Sequence, residues 1–455
     1  MPDARPMRAR YQTVVSSTMV LRDLLRGPRA LLALSASYVV RHPRAGVRAA
    51  DRKLPMPLAL AVLPVRVAKS AAVAFSGALA AARIGLRVRR APILRSRASL
   101  LAWGDELTTV CTLISDCHVV AEGHTPCELD VDPGQWPWKD APTSADMTRA
   151  LRHVLEDVVR RAPRTVVWCG DEVDTGHAAE WAQWRAVVDA VPGLTHRLVP
   201  GNHDICFNRP FDEDYALTRR ALRERSYQEH AGRLADFPVV DTMVTDAGPV
   251  TVVLLDSCRN RSTHLLSNAI GHFGDEQLDE LARLLGELRG PLLCVTHHHV
   301  WRDASFLQPD AWYNTAIDAD KLVSILTSYR RRDVRNQVLV CHGHRHALTA
   351  GEVGDVDAPI AILGLPSTIL GDKSTTGMLD GVLRYGIAGL RRDGTWAVAL
   401  HEVGTLVQSC TRSRARPATP PSRSLVALAV LGSAPVAAPV IHSDDVPSTA
   451  KAVGG

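Results

Sequence analysis

The sequence is short of lysine, of aromatic residues and of paired cysteines, and each shortage removes a class of function. Only six of its 53 basic residues are lysine, so arginine carries the positive charge. Aromatic residues make up 5% of the chain, and Tyr11, Tyr38 and Phe75 are the ones in the first hundred residues. That is too sparse for a platform on which nucleic-acid bases stack, and it leaves only non-specific attraction to a phosphate backbone. The nine cysteines (Cys111, Cys117, Cys127, Cys169, Cys206, Cys258, Cys294, Cys341 and Cys410) repeat no spacing and form no CxxC. A zinc ribbon and a disulfide framework are therefore not indicated. Reduced, mostly buried thiols in a cytoplasmic protein are expected instead. Long apolar runs are also missing. "SAAVAFSGALAAA" is 13 residues between Lys69 and Arg83, and the stretch 425–441 is broken by Pro435 and Pro439; neither suits a bilayer span. The first apolar patch, "ALLALSASYVV", lacks the shape of a secretory signal.

What the sequence has is an uneven charge. Residues 1–100 hold 17 Arg and 2 Lys against Asp3, Asp23 and Asp51, or +16, while the whole chain is only +5. The remainder is therefore mildly acidic, at about −11. This predicts three parts: a basic, Arg/Ala-rich N-terminal extension over 1–104, helical or membrane-interfacial; a main domain over 105–410; and a disordered Pro/Ala-rich tail over 411–455. The extension is a candidate for peripheral membrane contact, and no specific nucleic-acid recognition is expected.

From 105 to 405 short β-rich runs end abruptly in polar clusters: "LTTVCTLISDCH", "RTVVWCGDEVD", "THRLVPGNHD", "PVTVVLLDS", "GPLLCVTHHH" and "NQVLVCHGHRH". Stretches of helical period separate them. Residues 145–162 place Leu151, Leu155 and Val158 on one face, and 275–288 do the same with Leu278, Leu281, Leu284 and Leu285. Strands alternating with helices give an α/β core whose strand ends share one edge, where ligands bind in open sheets. That edge gathers Asp116 and His118; Asp171 and Asp174; Asn202, His203 and Asp204; His297, His298 and His299; His342, His344 and His346. These are hard oxygen and imidazole donors, suited to Mn, Fe or Zn. Spacing of two, as in "DCH" and "HRH", puts both side chains on one face of extended backbone.

The order "DCH", "GDEVD", "GNHD", "THHH" and "GHRH" closely resembles the calcineurin-like metallophosphoesterase superfamily over roughly residues 108–405. "LLDS", "GHFGDEQLDEL" and "GLPST" resemble its bacterial cyclic-nucleotide phosphodiesterase-like branch. The resemblance implies a four-layer α/β sandwich, two mixed β-sheets flanked by helices, and a site for two metal ions. It gives one ion Asp116, His118, Asp171 and His346, and the other Asp171, Asn202, His344 and a strand-end histidine. His297 is the expected ligand there, with His298 the alternative, because "THHHVW" lacks the proline the family shows after this histidine. His203 is implied as the catalytic group facing substrate, with Asp204 orienting and charging its imidazole. Asp174, His298 and His342 are expected to support the ligands from behind.

The activity implied is hydrolysis of a phosphoester by in-line attack of a metal-bridging hydroxide. A cyclic nucleotide or similar small diester is the expected substrate. The alternative is a phosphomonoesterase or a nucleotide or lipid pyrophosphohydrolase at a membrane surface. Arg209 and Arg259 are candidates for phosphate binding, and Trp136, Trp138 and Phe207 for base or headgroup contact.

Overall fold

The computed structural model describes residues 87–102, 107–126, 141–205, 217–259, 270–302, 314–375 and 378–406, with two short strands in the tail. Most of the N-terminal extension, Trp136, Trp138, Phe207, Arg209 and nearly all of the tail lie outside the described residues. The chain divides into two compact units, and the second, beginning at Arg90, contains everything discussed below.

Two sheets make up this unit. The first has five strands: β2 (Leu107–Ile114), β3 (Thr165–Trp168), β4 (Thr195–Leu198), β11 (Val382–Arg391) and β12 (Trp396–Thr405), in the order β12-β11-β2-β3-β4. β2, β3 and β4 run parallel, while β11 is antiparallel to both neighbours. The second has seven strands: β1 (Arg95–Ser96), β5 (Val239–Thr245), β6 (Gly248–Leu254), β7 (Leu292–Val295), β8 (Val338–His342), β9 (Thr349–Asp355) and β10 (Ala358–Gly364). Their order is β1-β9-β10-β8-β7-β6-β5, with β6, β7, β8 and β10 parallel. In the tail β13 (Leu425–Val426) pairs antiparallel with β14 (Val440–Ile441).

Alternation along the strands builds the layers. In β7, Leu293 and Val295 enter the core shared by the two sheets, while Leu292 and Cys294 face the outer helices. β8 repeats this, with Leu339 and Cys341 inside and Val338 and Val340 outside. A strand apolar on both faces must be covered twice. The helices α1 (Ser144–Arg161) and α2 (Ala178–Asp189) cover the five-stranded sheet. The seven-stranded sheet is covered by α5 (Asp275–Glu287) and α6 (Ala319–Arg332). Between these pairs come α3 (Asn202–Ile205) and α4 (Leu217–His230). The result is the four-layer sandwich that the family resemblance implies, which the strand pattern alone does not distinguish from a single doubly wound sheet. Thr143 and Asp146 close a capping box at the start of α1, and Met147, Leu151, Val154, Leu155 and Val158 form its buried face.

Two expectations are corrected. The fold takes up chain that the sequence assigned to the extension: β1 pairs with β9, and Leu100 and Leu101 are buried between the sheets. Apolar side chains ahead of residue 105 find their cover there. The pairs at i and i+2 in the strand-end clusters do not sit in extended backbone either, as the site shows. All six described cysteines are buried free thiols. Among the described residues no helix is long and apolar enough to cross a membrane.

A buried ion cluster ties α1 to β11 and β12. Asp157 accepts from Tyr385 Oη at 3.0 Å, lies 3.1 Å from His401 Nε2 and pairs with Arg160 and Arg161. Burial opposes its charge, but His401 and the two arginines hold its pKa down to about 2. A folded-state pKa below the ordinary value means a contribution present above about pH 4 and lost as pH falls through 2. Asp157→Asn should therefore lower the unfolding free energy near neutral pH. Of that loss, roughly 1–2 kcal/mol should vanish between about pH 4 and 2. Urea titrations of both proteins across this range check it, and a pH-independent difference would refute it.

Candidate metal centre

The polar clusters follow the carboxyl ends of parallel strands from both sheets. Asp116 and His118 follow β2, Asp171 and Asp174 follow β3, and Asn202, His203 and Asp204 form α3 after β4. His297 follows β7 and His344 and His346 follow β8, so the second sheet supplies the opposite wall.

Five non-glycine residues have positive φ among the described residues: Asp116 (51°), His118 (49°), Asp171 (57°), His344 (70°) and His346 (50°). All five are expected ligands. The left-handed conformation costs an L-residue roughly 1–2 kcal/mol, and such outliers gather at functional sites. The i, i+2 pairs converge because the backbone coils left-handed after each strand, not because strand alternation continues.

Two donor groups result, joined at Asp171. In the first, His118 Nε2 lies 3.0 Å from His346 Nε2, and His346 Nε2 lies 3.3 Å from Asp116 Oδ1. In the second, His297 Nε2 lies 3.0 Å from Asn202 Oδ1, 3.1 Å from His344 Nδ1 and 3.1 Å from Asp171 Oδ2. That same Oδ2 is 3.8 Å from His118 Nε2. Asp171 thus stands between the groups. Of the two neighbouring histidines, His297 makes these contacts. Its Nδ1 faces the Cys169 carbonyl at 2.9 Å, which holds the proton on Nδ1 and leaves the Nε2 lone pair for the centre.

Electrostatics agree with the geometry. Burial opposes the charge on Asp171, but His297, His203 and His118 hold its pKa well below the usual carboxylate range. Burial likewise opposes charging His118 and His297, yet the hydrogen bond that His118 donates to Asp174 and the charge of Asp171 beside His297 raise each to about 9, so the carboxylates draw a proton to the place where a cation would supply the positive charge. His344 and His298 are buried without such a partner, and both are pushed well below the ordinary histidine value.

The supporting residues fall into place around these groups. Asp174 Oδ1 sits 3.2 Å from His118 Nδ1, orienting that ring. His342 lies beneath the "GHRH" turn, accepting from Trp301 Nε1 at 3.1 Å. His203 lies edge-on to the His118 ring, centroids 4.5 Å apart, with Nδ1 2.7 Å from the Asp174 carbonyl oxygen. Here the expectation for Asp204 is corrected. Its carboxylate accepts the backbone N–H groups of Asp171, Gly201 and Val173 at 2.9, 2.8 and 3.1 Å, because the helical turn α3 swings it back onto the backbone. It positions the loops, and the Asp174 carbonyl is what orients His203. Arg259 is also corrected: its guanidinium donates to the Phe237 carbonyl at 3.1 Å and lies 3.7 Å from Asp256, so it braces a loop.

Sequence reasoning missed the hydroxyls. Ser367 Oγ donates to the Asp116 carbonyl at 2.6 Å, Thr368 Oγ1 accepts from Ser115 N at 3.1 Å, and Ser115 Oγ bonds the Asp116 carboxylate. "GLPST" was visible as a resemblance, but nothing local said that it pins a loop some 250 residues earlier.

Buried oxygen and imidazole donors converging this closely fit two cations rather than a purely hydrogen-bonded core. His344 Nε2 is buried with no partner among the described residues, and two imidazole nitrogens face each other across 3.0 Å. The glycines of the motifs keep the donors in place. A Cβ on Gly201 would stand 2.1 Å from Asp171 Oδ1, and one on Gly343 would stand 2.2 Å from Asp116 Oδ2. Gly201→Ala should displace Asp171 and cut bound metal from two ions per chain to one or fewer, by elemental analysis of the folded protein. Gly286→Ala, in α5 with open space around it, should leave metal content unchanged. Equal loss in both variants would refute this role for Gly201.

No curated protein matches the chain by sequence. Among solved structures, a dimetal phosphatase from Danio rerio aligns with 16% identity and a TM-score of 0.41, over 66% of this chain and 97% of that one. A purple acid phosphatase from yellow lupin (Lupinus luteus) seeds aligns with 10% identity and a TM-score of 0.43, over 67% of this chain and 53% of its own length. A putative 5'-nucleotidase from Staphylococcus aureus aligns with 11% identity and a TM-score of 0.37, over 65% of this chain and 54% of its own. The chain therefore spans little more than half of the last two. The family model for calcineurin-like phosphoesterase matches residues 110–348, more than half of the chain and the stretch that holds every ligand loop. The protein belongs to the calcineurin-like phosphoesterases, hydrolases of phosphoester bonds that use a dinuclear metal centre.

Proposed function

We propose that this hydrolase acts on a small phosphodiester of cyclic-nucleotide size. One observation carries the reading. Two of the three segments that resemble the cyclic-nucleotide branch abut the centre as follows: Ser367 and Thr368 of "GLPST" hold the Asp116 loop, and Gly271 of "GHFGDEQLDEL" packs on His298. Asp116, His118, Asp171 and His346 would hold one cation, and Asp171, Asn202, His297 and His344 the other. Mn, Fe and Zn all suit these donors. Two such cations supply Lewis acidity and lower the pKa of water, which activates it at neutral pH.

The chain's own residues do the rest. Asn202 and the four histidines are neutral ligands, so two carboxylates leave the loaded centre positive toward an anionic phosphate. His203, with Nδ1–H on the Asp174 carbonyl, turns Nε2 toward substrate, where it can stabilise a phosphoryl oxygen or pass a proton to the leaving oxygen. A thiol nucleophile is not offered by the ligand loops. Burial, with nearby carboxylates, pushes Cys117 and Cys169 well above the ordinary thiol value. Direct attack by water on phosphorus is the reaction this favours.

The second reading, a phosphomonoesterase or pyrophosphohydrolase at a membrane, draws on the +16 charge of residues 1–100. Protein stripped of metal and reloaded with Mn separates the two. Bis(p-nitrophenyl) phosphate should be turned over faster than p-nitrophenyl phosphate, and Asn202→Ala should abolish both activities. His203→Ala should keep its metal and lose roughly 10²–10⁴-fold in kcat. Preference for the monoester would overturn the diester reading.

A further inference from the structure

We propose that His298 is a hydrogen-bond donor aimed into the centre, its proton placed on Nε2 by Ser257, and that it serves an oxygen of the bound phosphate. The inference rests on the phosphoester reading above. It follows from counting hydrogens. Ser257 Oγ accepts the backbone N–H of His298 at 3.1 Å and lies 2.8 Å from His298 Nδ1. The hydroxyl's second lone pair could also take an Nδ1–H, but its own proton would then have no acceptor among the hydrogen bonds of the described residues. Nδ1 therefore accepts, and the proton of the neutral ring sits on Nε2.

That Nε2 is buried and has no protein partner among the described residues. One ring nitrogen from each of His297, His298 and His344 lies within 4.8 Å of the others. His297 carries its proton on Nδ1, toward the Cys169 carbonyl, and offers a lone pair. The two neighbours in the chain are thus opposite tautomers, one suited to a cation and the other closed to it. A buried N–H must find an acceptor. The acceptor that belongs beside His297 and His344, in a hydrolase of phosphoesters, is a phosphoryl oxygen. Ser257 and His298 then form a two-step relay: Ser257 Oγ–H to Nδ1, and Nε2–H to the anion.

The test uses the full chain loaded with Zn, which is diamagnetic, and inorganic phosphate as the probe. Long-range proton–nitrogen correlation spectra of histidine-labelled protein should show His298 protonated at Nε2 and His297 at Nδ1. Metal analysis should find two ions per chain in wild type, His298→Gln and His298→Met alike. Calorimetry should find phosphate bound about tenfold more weakly by His298→Met, the scale of one hydrogen bond to a charged oxygen. His298→Gln, whose amide N–H stands near the position of Nε2–H, should restore most of that. Ser257→Ala leaves the imidazole in place and frees its tautomer; it should weaken phosphate several-fold even where His298→Met folds poorly. Loss of one ion on replacing His298 would make it a ligand and overturn the proposal. So would equal phosphate affinity across variants that all hold two ions. A wild-type chain that holds two ions but no phosphate would instead bring down the phosphoester reading, and this inference with it.

Discussion

Three backbone N–H groups converge on the carboxylate of Asp204, and the placement of the first wall of the centre depends on that convergence. Two of the donors, Asp171 and Val173, belong to the loop after β3, and the third, Gly201, to the loop after β4. One side chain thereby fixes the distance between the loop that carries the shared aspartate and the turn that carries Asn202 and His203. Asp171 returns the connection, since its Oδ1 accepts the His203 N–H at 2.8 Å. Charge-assisted bonds of this kind are about twice as strong as neutral ones. In a buried site they hold a geometry that loops alone would not keep.

The second constraint is conformational. Five of the expected ligands occupy left-handed backbone, and together they ask the fold to absorb several kcal/mol of strain. The hydroxyl contacts show where that cost is met. Asp116 is held from both sides, by Ser367 on its carbonyl and by His344 N, which donates to its carboxylate at 2.9 Å. Loops from the two sheets therefore lock one another. The sandwich brings together donors that no single sheet edge could, and the buried strands beneath resist the relaxation that strain would otherwise drive.

Much of this was legible in the sequence. The six β-rich runs became strands, the two helical stretches became α1 and α5, and the five clusters meet in one centre. Those features depend on short-range periodicity and on residue types that have few other uses at a strand end. The rest was hidden for identifiable reasons. Asp204 follows His203 directly, and adjacency suggested a pair; the helical turn sends the two side chains apart. Leu100 and Leu101 looked like part of a basic extension because charge dominates the residues before them, yet burial is decided by the few apolar ones. Ser257, Ser367 and Thr368 act through partners 41 to some 250 residues away, and nothing in their local sequence carries that distance.

Glu172, lying between Asp171 and Val173 in "GDEVD", shows how the centre limits its own negative charge. It is buried, and burial together with the neighbouring Asp204 pushes its pKa well above the usual carboxylate range. Burial raises the pKa of Asp204 only to about 6, because its hydrogen bond with Glu172 and the backbone N–H bonds it accepts oppose the rise. Two carboxyl groups side by side in a dry environment cannot both ionise without large cost. Glu172 is pushed up and Asp204 is held lower, so the proton of the pair favours Glu172, which donates to Asp204 alongside the backbone N–H groups. Had the proton gone to Asp204, a hydrogen would have replaced an acceptor where the backbone offers only donors, and the loop carrying Asp171 would have lost its anchor. The acid that the sequence places inside the motif thus favours its neutral form, and the negative charge that two cations would meet is that of Asp116 and Asp171.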